Sequence, residues 1–449
     1  MSRSKPARRA TRRAAAFTLL LLVLSASFYD VVVVAQELPG QAPLKFNGNA
    51  DQTFKIVVFT DMHFGESSDK DQKSLALQRA VLDAEKPDFI VFNGDIVSGW
   101  LGRKRGWMES KMREILAYPN SQGYRHALLL GNHDDEANLN RVQILEEDKK
   151  ISRDLSYSQI GPDDITGASN YYLDVYSGVA GQQDRVDARL WFFDSMNREC
   201  EGRESWGCVG RDTVAWYADL SESLVPVDQQ VAFVHIPIPE HMLGYGDFRM
   251  VGFRQEDSSC PIINTGLAKE LALHGVNMVV SGHDHGNTYA GNINLQARYG
   301  GLGANETGYF APGSGIFELE DIPMLMAYGR KSGFGSYGPS GPLGKVDEGA
   351  RVIELRTFDS PDIERQQTIE FVNTMNAYSF AQLPPQMLHG GPFKWMQTYV
   401  TDLNGERELS DRPNFKYIVQ EACYSAAVGK AAWILMAGVV GVFAMMGWS

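Results

Sequence analysis

Cysteine is scarce in this chain: there are four in 449 residues, and none has the C-x-x-C spacing of a zinc knuckle. Positive charge is in deficit, with 42 Lys and Arg against 55 Asp and Glu, for a formal net charge of −13. That balance excludes a nucleic-acid duplex as a general partner. It also means that an anionic substrate would need a local positive focus, which bound metal ions supply. Neither disorder nor repetition is present. Hydrophobic content of 44% and charged content of 22% are those of a globular protein, no internal repeat is visible, and the length suffices for one large domain or two ordinary ones.

The two ends read as addresses rather than as fold. A basic stretch through Arg13 precedes an apolar run over residues 14–26, with small residues at Ser25-Ala26-Ser27 and Val33-Val34-Ala35. Residues 1–35 therefore read as a signal peptide, with an uncleaved signal anchor as the alternative. Either way the body is expected in the secretory pathway, at the cell surface or outside the cell. Cys200 and Cys208 flank a short loop and suit a local disulfide, whereas Cys260 and Cys423 either pair or stay free. Asn305-Glu306-Thr307 is a glycosylation sequon. Residues 431–448 carry no charge and read as a membrane segment, with a glycolipid-anchor tail as the alternative. Residues 376–430 have a poor pattern and read as an extension or stalk.

Between the ends, residues 54–60, 89–93, 126–130, 190–193, 231–234 and 276–280 are apolar, β-branched runs that read as buried strands. Leu77, Ala80, Val81 and Ala84 have helical spacing, and Lys86-Pro87 closes that helix. Strands alternating with helices indicate an α/β architecture, in which sites lie beyond the carboxyl ends of strands. Residues 300–342 are rich in Gly, Tyr, Pro and Ser and read as long loops, with strands resuming at 351–357 and 368–372.

Five of the apolar runs end in metal-binding side chains: Asp61-Met62-His63, Gly94-Asp95, Gly131-Asn132-His133-Asp134, Val234-His235 and Gly282-His283-Asp284-His285. Singly, each is a common turn or a core histidine. As an ordered set of acidic, amide and imidazole groups at successive strand ends they point to a site for two metal ions. One carboxylate has two oxygens and can hold two cations while lowering their mutual repulsion. Asp134 is placed to hold the His133 ring through its second nitrogen. Of the remaining histidines, His126, His274 and His389 read as structural, and His241 is the candidate exception.

This ordered set resembles the calcineurin-like metallophosphoesterase superfamily over roughly residues 54–371. The phrases at 167–173, 190–195, 235–240 and 252–256 resemble its purple-acid-phosphatase-like branch of plants and fungi. The resemblance implies a metallophosphoesterase four-layer α-β-β-α sandwich over residues 51–375, with a dinuclear site at the strand C-terminal ends. It implies two divalent transition-metal ions (Mn, Fe or Zn), the first on Asp61, His63, Asp95 and His285 and the second on Asn132, His235 and His283, with Asp95 bridging. It further implies that a metal-bridging hydroxide attacks a phosphate ester while His133 assists the leaving group. Phosphomonoester hydrolysis is the activity implied, with phosphodiester hydrolysis and non-catalytic binding as alternatives. The purple enzymes lack the first-motif histidine and bind ferric iron through a tyrosine three residues after the G-D aspartate. Here His63 is present and that position is Ser98, so no phenolate-to-iron colour is expected.

Overall fold

The computed structural model describes residues 41–47, 51–227, 229–244, 252–294, 302–304, 310–312, 323–338, 340–341, 344–345, 348–358, 394–402 and 407–408. Two sheets dominate. Their strands in chain order are β1 (Leu44–Lys45), β2 (Asp51–Phe59), β3 (Phe89–Asn93), β4 (His126–Leu129), β5 (Tyr171–Tyr176), β6 (Val186–Phe193), β7 (Gln229–Val234), β8 (Met278–Ser281), β9 (Ala290–Asn294), β10 (Pro323–Tyr328), β11 (Gly349–Phe358), β12 (Lys394–Asp402) and β13 (Arg407–Glu408). One sheet has the order β1-β5-β6-β7-β8-β10-β9 and the other β13-β12-β11-β2-β3-β4.

The alternation of side chains along a strand explains the layering. Ile56 and Val58 of β2 meet Phe89 and Val91 of β3 in a core shared with Leu190, Phe192, Val231, Phe233, Met278 and Val280 of the other sheet. Val57 and Phe59 point the opposite way, onto the helices α1 (Ser68–Glu85), α2 (Trp107–Ser121) and α3 (Arg141–Ser152). On the far side, Trp191, Phe193, Ala232 and Val279 pack on α4 (Arg211–Ser223) and α5 (Leu267–Leu273). The result is the expected four-layer α-β-β-α sandwich. Ser67 caps α1 by accepting from the Lys70 amide, and Lys86 ends it in a left-handed conformation before Pro87.

Two stretches differ from their sequence reading. Within residues 300–342, read as loops, Pro323–Tyr328 is a strand that pairs in parallel with β8. Within residues 376–430, read as a stalk, Lys394–Asp402 pairs along its whole length with β11, so the second sheet extends past residue 375. The expected strand at 368–372, the 1–35 and 431–448 segments, Asn305, His389 and Cys423 lie outside the described residues. Among the described residues no helix is long and apolar enough to cross a membrane. Cys200 and Cys208 form the local disulfide, and Cys260 is also disulfide-bonded.

Candidate metal centre

The parallel strands β2, β3 and β4 end side by side, and so do β7 and β8. Beyond its strand the chain stays tethered to its neighbour. The amides of Asp61, His63 and Phe64 donate to the carbonyls of Gly94, Asp95 and Ile96 at 3.0–3.1 Å, and Gly282 donates to His235 O at 3.0 Å. Asp61, His63, Asp95 and His283 all adopt positive φ, from 49° to 72°. Non-glycine residues rarely do so, and a cluster of them marks backbone held for a purpose. Gly94 lies so close to β7 that a Cβ there would sit 2.3 Å from His235 Nδ1.

Two groups of potential ligands result, Asp61 with His63 and His285, and Asp95 with His235 and His283; within each the ligand atoms lie within 4.8 Å of one another. All six side chains are buried. Asp95 Oδ2 lies 3.7 Å from His63 Nε2 and 3.2 Å from His235 Nε2, between the two groups. Asp61 Oδ1 is 3.5 Å from His285 Nε2, and its carboxylate accepts from the His283 amide at 3.0 Å. The imidazoles are oriented from behind. His235 Nδ1 donates to Asn93 O at 2.8 Å, His285 Nδ1 to Tyr337 O at 2.7 Å, and His63 Nδ1 lies 3.2 Å from Ser98 Oγ. Each then presents Nε2 inward, the arrangement found behind metal-bound histidines.

The electrostatics and the orphaned atoms both fit cations at this place. Burial alone would raise the Asp61 and Asp95 carboxyls, but the neighbouring histidines (His285 foremost for Asp61, His235 for Asp95) hold both below the usual carboxylate range. Burial would likewise lower His235, yet the Asp95 and Asp61 charges raise it to about 9. His283 goes the other way, to about 3, through burial and the charge of His235. The two carboxylates thus demand positive charge. Asn132 Oδ1 and Nδ2 and His235 Nε2 are buried with no hydrogen-bond partner, an arrangement that a ligating ion explains and that otherwise costs desolvation free energy.

His133 stands at the edge of the site, its ring 5.7 Å from that of His63. Its Nδ1 is bound by Glu136 Oε2 at 2.7 Å, which leaves Nε2 to hold or release a proton. The expected partner, Asp134, is elsewhere. Its carboxylate accepts from the amides of Asp95, Ile96 and Gly131 at 2.7–3.0 Å and so fixes the loops that carry Asp95 and Asn132. The reason is local geometry: residues 134–136 form a 3₁₀ turn, in which positions three apart eclipse, so Glu136 comes back over His133 while Asp134 turns inward. Of the other singled-out residues, His126 forms a buried pair with Asp148 at 2.9 Å, and His241 packs on Tyr328, so both are structural. Glu256 accepts from Tyr337 Oη at 3.0 Å, and the Tyr337 ring stacks on His285 at 4.0 Å.

Three neighbours of the site carried no sequence signal. Trp100 meets His133 edge-on at 4.5 Å, Trp206 in the loop closed by the Cys200–Cys208 disulfide meets His283 at 4.4 Å, and Lys331 donates to Asp61 O at 3.0 Å. The two tryptophans thus each contact a histidine of the site. No periodicity or spacing could have revealed them, since each contact is tertiary.

Two facing sheets with two carboxylate-imidazole clusters at a common rim define a metallophosphoesterase. Residues 54–287 match the family model "Calcineurin-like phosphoesterase", and the chain belongs to that family. Similar proteins include "Probable inactive purple acid phosphatase 28" of Arabidopsis thaliana, 30% identical over 56% of this chain and 70% of that one. "Phosphatase DCR2" of Saccharomyces cerevisiae is 28% identical over 53% of this chain and 44% of its own length. Among solved structures, the purple acid phosphatase PPD1 of yellow lupin (Lupinus luteus) matches with a TM-score of 0.39 and 11% identity, covering 70% of this chain and 52% of that one. By sequence the relatives are purple-acid-phosphatase-like plant proteins and fungal phosphatases.

Proposed function

We propose that this chain hydrolyses phosphate monoesters with two divalent transition-metal ions. Asp61, His63, Asp95 and His285 would hold one ion, and Asn132, His235 and His283 the other, with Asp95 shared. The observation that carries the reading is the pair of buried ligand groups with Asp95 Oδ2 between them, joined by the orphaned amide of Asn132. Two such ions supply an acidified water and positive charge for the phosphoryl oxygens. The chain's own residues do the rest. Asp134 holds the Asp95 and Gly131 backbone rigid, Glu136 fixes the His133 tautomer, and His133 delivers a proton to the departing oxygen. Trp100 and Trp206 pack edge-on against the His133 and His283 rings.

The domain proposed to do this is the one expected over residues 51–375, extended by Lys394–Asp402 of its second sheet, and the protein is proposed to follow the secretory route with membrane attachment through residues 431–448. The basic and apolar N-terminus and the Cys200–Cys208 disulfide support an oxidising compartment. The names of several relatives contain "inactive", which motivates a second reading, phosphate-ester binding without turnover. The test is turnover of an aryl phosphomonoester and the matching diester by purified protein loaded with Mn, Fe or Zn. Faster monoester hydrolysis supports the proposal, and diester preference would replace it with a phosphodiesterase. No turnover with both ions bound would replace it with the binding reading.

A further inference from the structure

Beside the candidate metal centre lies a short exposed segment that joins apolar and basic side chains. Trp100 and Leu101 are among the exposed large hydrophobics, at 39% and 50% exposure. They are followed by Arg103, Lys104 and Arg105, all exposed. This cationic triplet runs against the net charge of −13. On the neighbouring helices four cations are paired, Lys70 with Glu66, Lys73 with Asp69, Lys111 with Asp71 and Arg113 with Glu147, at 2.6–2.7 Å, and Arg79 lies over the Tyr118 ring. Arg103, Lys104 and Arg105 make no ion pair with any described residue. Two adjacent apolar side chains with three unneutralised cations have the composition of a segment that rests in the headgroup layer, where Trp settles and basic residues meet anionic lipid.

The segment is also fixed to the site. Gly99 approaches His133 so closely that a Cβ there would sit 2.0 Å from the His133 carbonyl oxygen. The Trp100 ring touches His133, and Leu101 N and Gly102 N close the turn on Ser98 O and Gly99 O at 3.1 and 2.8 Å. Whatever surface this turn rests on is therefore beside the proton-donating edge of the metal centre.

We infer that residues 98–106 are a docking element for an anionic lipid bilayer, with Leu101 entering the headgroup layer and Arg103, Lys104 and Arg105 lying against its phosphates. Together with the proposed hydrolytic activity, on which this clause alone rests, the site then faces phosphate esters borne by the membrane. Docking itself needs no turnover and no metal.

The test uses the full chain with Leu101→Cys carrying an environment-sensitive fluorophore, a local readout that membrane attachment elsewhere in the chain does not mimic. Among the described residues no cysteine is free to compete for the label. Vesicles of phosphatidylcholine alone are compared with vesicles of equal parts phosphatidylcholine and phosphatidylserine. The expected result is a blue shift on the anionic vesicles alone, weakened by salt. Adding R103E/K104E/R105E should reduce the apparent affinity by about a hundredfold or more, at roughly fivefold per basic residue removed. Hydrolysis of a soluble aryl phosphate by that variant reports its folding separately, and circular dichroism does so if the protein does not turn over. An equal shift on neutral vesicles, or a shift that survives charge reversal, would overturn the inference. So would single-stranded DNA binding that depends on the three cations while vesicles give no shift, which would make the segment a nucleic-acid contact instead.

Discussion

The Nε2 atoms of His63 and His285 lie 3.0 Å apart although the residues are 222 positions apart in the chain. Both rings are oriented from behind through Nδ1, so both inward nitrogens face the same place. Two buried imidazole nitrogens at that separation either share one proton or flank a cation. Asp61 Oδ1, 3.5 Å from His285 Nε2, favours the cation.

Metal content is the first consequence. Loaded protein should carry close to two transition-metal ions per chain by elemental analysis. Asp95→Ala should lose both more readily than any other single ligand change, because it removes the carboxylate lying between the clusters. A stoichiometry of one at full activity would defeat the dinuclear reading.

The second concerns His133. His133→Ala should retain its metal and fold while turnover falls by about 10²- to 10⁴-fold, the scale of a lost general acid. The loss should shrink for substrates whose leaving group is an activated phenolate. Glu136→Gln should give a smaller loss of the same leaving-group dependence, because it disturbs the ring's tautomer and not its presence, whereas Asp134→Asn should act through loop order and metal retention. Equal rates for wild type and His133→Ala on a poor leaving group would remove the histidine from the mechanism.

Colour is the third. Ser98 stands three residues after Asp95, where the resemblance places the tyrosine of a purple enzyme, and its Oγ lies against His63 Nδ1 and donates to Glu66 at 2.9 Å. Protein loaded with iron under oxidising conditions should show no phenolate-to-ferric band in the visible spectrum. A band would mean that another tyrosine reaches the metal.

The fourth tests a buried ion pair under the site. Arg141 donates two hydrogen bonds to Asp194, Nε at 2.9 Å and Nη2 at 2.5 Å, and donates to the carbonyls of Leu130 and Gly131 at 3.0 Å. Arg141→Met strands the Asp194 charge and should cost about 3–5 kcal/mol in chemical unfolding. Arg141→Met combined with Asp194→Leu should recover part of that loss. A single variant as stable as wild type would show that solvent reaches Asp194.

The fifth is a pH dependence. Burial lowers the His241 ring to about 4 from the ordinary 6.5. Between those values the unfolded chain binds a proton that the folded one does not, so stability should fall as pH drops through that window, by about 3 kcal/mol in total. Unfolding measured in chelator from pH 7 to 4 should therefore show a shallower decline for His241→Phe than for wild type. Parallel curves would mean that the folded ring takes up its proton as readily as the unfolded one.

The strands that carry ligands were legible because buried parallel strands are continuous β-branched runs, and each ends in a Gly, Asp, Asn or His that a run of Val and Phe makes conspicuous. Other parts were hidden for physical reasons. Pro323–Tyr328 is built of Pro, Met, Leu, Ala and Tyr within a glycine-rich stretch, and only its place between β8 and β9 makes it a strand. Lys394–Asp402 mixes polar and apolar residues and draws its structure from pairing with β11. Asp134 looked like the partner of His133 because it is adjacent in sequence, but the 3₁₀ turn gives that role to Glu136. Trp100, Trp206 and Lys331 reach the site through tertiary contacts that leave no trace in spacing.

The origin of the ligands has a mechanical meaning. Asp61 and His63 follow a strand of one sheet and His285 follows a strand of the other; Asp95 belongs to the first, His235 and His283 to the second. Each ion would therefore be a clasp across the open end of the sandwich, and its binding free energy would oppose the parting of the two halves. At a hundredfold excess over its dissociation constant, each clasp adds about 2.7 kcal/mol. Chelation should then loosen this one edge first, and amide exchange at Asp61 and His283 should accelerate well before the strand centres respond.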